Sequence, residues 1–132
     1  VFLNDQGNPV IGHSVRFDRY DNFWFTLLHE LSHIVLHYAE IEGVIVEDLK
    51  DVSSDDIEKE ANYLAGNSIV PNSIWRRSVV IRKQTPESVI ELSSQLGVHP
   101  ALIAGKFQFE RQNFAKFKDL VNSISVKRIL GI

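Results

Sequence analysis

Residues 29 to 37 read His-Glu-Leu-Ser-His-Ile-Val-Leu-His. On a helix, His29 and His33 are one turn apart on the same face. Both imidazoles can then point at a single ion about 2 Å from each nitrogen. Zinc suits such a pair, and Glu30 beside it suits a general base toward a water molecule. The chemistry implied is metal-assisted hydrolysis, with one zinc ion as cofactor and Glu30 as the catalytic residue.

The neighbouring residues extend this pattern. At about 100° per residue, Thr26, His29, Glu30, His33 and His37 fall in one arc that holds no apolar residue. Phe23, Trp24, Phe25, Leu27, Leu28, Leu31, Ile34, Val35, Leu36 and Tyr38 cover the rest of the circumference. Such a helix is expected to be buried, and its polar stripe then needs partners. A metal and its cleft would supply them.

Catalytic zinc usually keeps three protein ligands and a water. On a continuing helix His37 rises about 6 Å beyond His33, too far for the same ion, so it reads as a cleft residue, as do Thr26 and Tyr63. The third ligand is expected from a second helix, where Asp55, Asp56, Glu58 and Glu60 precede Ala61-Asn62-Tyr63-Leu64-Ala65. Glu58 and Glu60 border that helix's inner face on opposite sides, and periodicity does not choose between them. Tyr20, Tyr38, Tyr63, His13 and His37 are the groups available to stabilise an oxyanion.

The elements that must position these groups are legible from turn and cap residues. Val1 to Leu3 and Pro9 to Gly12 read as two strands around a polar turn. Asp21 or Asn22 caps a helix running to about Tyr38. Gly43 to Val46 reads as a short strand whose edge could pair with an extended substrate. Ser53-Ser54-Asp55-Asp56 opens a helix ending near Ile69, before Pro71. A short helix is expected over Ser73 to Val80, another from Thr85-Pro86 to Gly97, and another from His99-Pro100 to about Gln112. The apolar spacing of Phe114, Phe117, Leu120, Val121 and Ile124 predicts a last helix to Leu130. The fold class is α+β and mainly helical: a small N-terminal sheet packed on the His29–His33 helix, then a helical C-terminal part. The expected organisation is a single domain over 1–132, with a zinc-binding core over about 1–80 and a helical subregion over about 85–132.

Composition sets the outer limits. With 132 residues, the chain has room for one core. The absence of cysteine removes disulfides, thiolate metal sites and cysteine nucleophiles together. Apolar runs are too short to cross a membrane and nothing marks the start for secretion, so a cytoplasmic location is expected. The chain opens at Val1 and contains no methionine, which reads as a piece of something longer.

The sequence resembles the ImmA/IrrE family of bacterial zinc metallopeptidases. The resemblance is carried by Phe25-Thr26-Leu27-Leu28-His29-Glu30-Leu31-Ser32-His33, and by Glu60-Ala61-Asn62-Tyr63-Leu64-Ala65 closing on Ile69-Val70-Pro71. It implies a gluzincin-like helical fold with a short sheet and places the third ligand at Glu60. It also implies endopeptidase activity on a helix-turn-helix repressor or an antitoxin, hence a role in transcription regulation or a toxin–antitoxin pair. The alternative is a non-proteolytic sensor or interaction module that keeps a zinc site.

Leu92 to Ile103 also has helix-turn-helix spacing around Gly97, with Lys106, Arg111, Lys116 and Lys118 beyond it. A net charge of −3 and the single basic residue between His99 and Glu110 favour packing over direct DNA binding.

Overall fold

The structure is a computed structural model that describes residues 1–38 and 54–132. The strand expected at Gly43 to Val46 lies outside the described residues. The chain divides into two compact units, one of residues 1–14 and 25–68, the other of 15–24 and 69–132. Val70, Trp75 and Val80 belong to the core of the second unit.

In the first unit, β1 (Phe2–Leu3) and β2 (Pro9–Val10) pair antiparallel, Phe2 opposite Val10 and Leu3 opposite Pro9. Asn4 makes the turn: its side-chain oxygen accepts from the amides of Gln6 and Asn8 at 3.0 and 2.9 Å. Gly7 takes the left-handed conformation that the turn requires, at φ 77°. The helix α1 (Tyr20–Leu36) carries the histidines, and α2 (Ser54–Ile69) the acidic residues, with Asp55 and Asp56 in its first turn. The Tyr38 hydroxyl donates to the Gly7 carbonyl at 3.2 Å, tying the hairpin turn to the residues just past α1.

The expected burial of α1 is reversed in part. Val35 is 74% exposed, whereas His33 and His37 are 9% and 4% exposed. The polar stripe is the inner face because it meets the carboxylates of α2, where Ala61 and Ala65 are fully buried.

The second unit is helical. It contains α3 (Asn72–Trp75), α4 (Val79–Lys83), α5 (Pro86–Leu96), α6 (Pro100–Arg111), α7 (Lys118–Val121) and α8 (Val126–Leu130). The single helix expected over Ser73 to Val80 is broken by extended backbone at Ser78. A reciprocal Thr85–Ser88 box starts α5, and Gly97 in the left-handed region ends it. Ala101, Ile103, Ala104 and Phe107 of α6 are buried in a core with Val89, Leu92 and Trp75. The second helix of the helix-turn-helix spacing thus packs one face in this unit's core.

The single tail helix expected from Phe114 to Leu130 is two short helices. Gln108, 1% exposed, donates to the carbonyls of Phe114 and Lys116 at 3.1 and 2.8 Å, which holds the chain in a loop before α7. Phe117 adopts φ 60° and sets its ring 5.1 Å from that of Phe107. Residues 15–24 join this unit through polar contacts. Asp18 accepts from Ser125 Oγ at 2.7 Å and the Lys127 amide at 2.9 Å, which lowers its carboxyl below the usual range. Arg19 makes a forked pair with Asp21 at 3.0 and 2.8 Å and donates to Gln108 at 3.1 Å.

Gly105 lies under that fork, where a Cβ would overlap the Asp21 carboxyl group. Gly105→Ala should therefore displace Asp21 and lower the unfolding free energy by about 1–3 kcal/mol, read from the denaturant midpoint. An unchanged midpoint would show that the contact yields freely. Among the described residues, no helix is long and apolar enough to cross a membrane.

Candidate metal centre

The centre lies within the first unit. His29 and Glu30 are neighbours on α1 with His33 one turn further on, and the two histidines present their Nε2 atoms to each other at 3.1 Å. Glu58 reaches both from α2, with Oε2 2.9 Å from His29 Nε2 and Oε1 3.2 Å from His33 Nε2. Among the described residues, these three form a group able to hold a metal ion.

The donor set fits zinc. A tetrahedral site with bonds of about 2.0–2.2 Å has ligand atoms roughly 3.3–3.5 Å apart. The observed separations are within a few tenths of an ångström of that edge. Burial holds the His33 imidazole below its usual range, with the His29 and His37 rings pushing the same way and the Glu58 and Glu30 carboxylates opposing them. A neutral ring is the form that can offer a lone pair to a metal.

Glu60 is not brought to this focus. Its Oε2 lies 2.9 Å from His37 Nε2, and His37 Nδ1 lies 3.2 Å from His33 Nδ1. Residues two apart on a helix point about 160° away from each other, so Glu58 and Glu60 cannot both face one ion. Glu58 stands where the family resemblance implies Glu60. The full burial of Ala61 and Ala65 marks the inward side of α2: at about 100° per residue, Glu58 lies within about 60° of both, and Glu60 lies 100° or more away.

The remaining candidates are spread out. His37 is past the end of α1, across the His33 ring from the focus. Glu30 is partly buried, and its Oε2 accepts from the Val1 amine, so β1 begins beside it. Thr26 is partly buried one turn before Glu30. Tyr63 is 64% exposed on α2. The Tyr38 hydroxyl is engaged by Gly7, and half-buried His13 has Nδ1 3.1 Å from the Ser14 carbonyl. Tyr20 belongs to the second unit, its ring 5.1 Å from that of His99. Asp55 and Asp56 are exposed in the first turn of α2 and are not in the metal-binding group.

Neither the curated proteins nor the solved structures give a match to this chain. Residues 2–107 match the family Peptidase_M78, described as the IrrE N-terminal-like domain. That span takes in the hairpin, α1 to α5, and α6 as far as Phe107. With the His29–His33 helix and its facing carboxylate inside the matched span, the chain belongs to this metallopeptidase-type family.

Proposed function

We propose that the chain is a zinc-dependent endopeptidase that cuts one protein, a helix-turn-helix repressor or an antitoxin. The observation that carries the reading is the convergence of His29, His33 and Glu58, with Glu30 on the same helix as both histidines. His29, His33 and Glu58 would hold the ion. Bound there, zinc supplies a Lewis acid for a peptide carbonyl and brings the pKa of a water to about 7. The Glu30 carboxylate would take a proton from a water molecule and return it to the departing amine, serving as base and then as acid.

The substrate class comes from the family resemblance. It agrees with the needs of a protease inside a cell, where unrestrained cleavage would be harmful. The net charge of −3 supports leaving direct DNA binding out of the reading.

The test incubates the zinc-loaded chain with the helix-turn-helix protein expected to be encoded alongside it. The expected result is a discrete fragment that a chelator abolishes. Stable association with no fragment would replace the protease reading with that of an interaction module.

A further inference from the structure

The geometry points to Glu60 as a positioning residue that sets the donor atom of His33 at one remove, through His37, without touching the ion. This rests on the metal site proposed at His29, His33 and Glu58.

The atoms form a line. Glu60 Oε2 is 2.9 Å from His37 Nε2, His37 Nδ1 is 3.2 Å from His33 Nδ1, and His33 Nε2 faces His29 and Glu58 at 3.1 and 3.2 Å. An ionised carboxylate only accepts hydrogen bonds, so His37 Nε2 carries the proton it donates to Glu60. A neutral imidazole has one N–H, which leaves a lone pair on His37 Nδ1. That atom accepts, so His33 Nδ1 carries the proton between them. His33 Nε2 is then left with its lone pair, aimed at the metal focus. With both rings neutral, every step follows from the acceptor-only group at the far end.

Without that group the line can reverse. If His37 carried its proton on Nδ1, His33 would accept there and hold its own proton on Nε2, where it blocks a metal bond. His37 is 4% exposed, so bulk water has little access to replace the missing partner. Metal-ligating histidines commonly donate their second N–H to a carboxylate or carbonyl, and loss of such a partner costs about 10–100-fold in metal affinity. Here an imidazole stands between ligand and carboxylate, and the Glu60 side chain, 57% exposed, can be changed without opening the core.

The test measures zinc affinity by competition with a chromophoric chelator, and records the histidine ring nitrogen NMR signals of the metal-free protein. Glu60→Leu should weaken zinc by about 10–100-fold and remove the single tautomer of His37. Glu60→Gln, whose amide oxygen can still accept, should restore most of the affinity. In a His37→Phe background, Glu60→Leu should have no further effect, because its influence passes through that ring. Equal weakening with and without His37 would make Glu60 a direct ligand and overturn the proposal. Unchanged affinity and tautomers in Glu60→Leu would overturn it as well. Glu58→Leu separates the two levels: wild-type affinity in that variant removes the metal site itself, whatever Glu60 does.

Discussion

Glu30→Gln should keep its zinc and lose hydrolysis by on the order of 100-fold or more. Glu30 is next in sequence to one histidine of the donor group and close enough to the other for its charge to act on His33. Glutamine preserves the length and shape of the side chain, so the first turns of α1 and the metal group should be undisturbed. What it lacks is a carboxylate able to take a proton from water and give it back to the leaving amine. Turnover of the protein substrate, with metal content measured on the same sample, checks this. Full activity in Glu30→Gln would place the base elsewhere. Loss of metal together with activity would mean that Glu30 supports the site rather than the chemistry.

His33→Ala should reduce bound zinc from about one equivalent to almost none after mild dialysis. His33 is the centre of the arrangement, with one ring nitrogen toward His29 and Glu58 and the other toward His37. Its removal leaves two donors, fewer than the three that a catalytic zinc site usually keeps. His29→Ala should lose metal as well while leaving the His33–His37 pair in place. Metal analysis of the purified variants gives the answer, and retained stoichiometry in His33→Ala would contradict the assignment.

The parts of the fold that local chemistry controls were legible in the sequence. Thr85-Pro86 and Gly97 mark the ends of α5 in the structure, and Asn4 to Asn8 make the hairpin turn. The tail misled because its spacing is helical while its conformation is set from a distance. Gln108 holds two carbonyls of the loop and Phe117 enters the left-handed region to reach Phe107, neither of which a local apolar period reports. The burial of α1 misled for a related reason. Its polar stripe faces inward, because carboxylates on another helix satisfy it, and outward exposure then falls on Val35 and Leu36. At the site, the i, i+4 histidines followed directly from helical geometry. The facing carboxylate depended on which side of α2 meets α1. The fully buried alanines mark that side, and they mark it at Glu58.

The most direct test is the position of the metal itself, taken from anomalous scattering at the zinc edge in crystals of the zinc-loaded protein. The expected result is one strong peak about 2.0–2.2 Å from His29 Nε2, His33 Nε2 and a Glu58 carboxylate oxygen, with Glu60 bonded to His37. A peak ligated by Glu60, or no peak between the two histidines, would contradict the account.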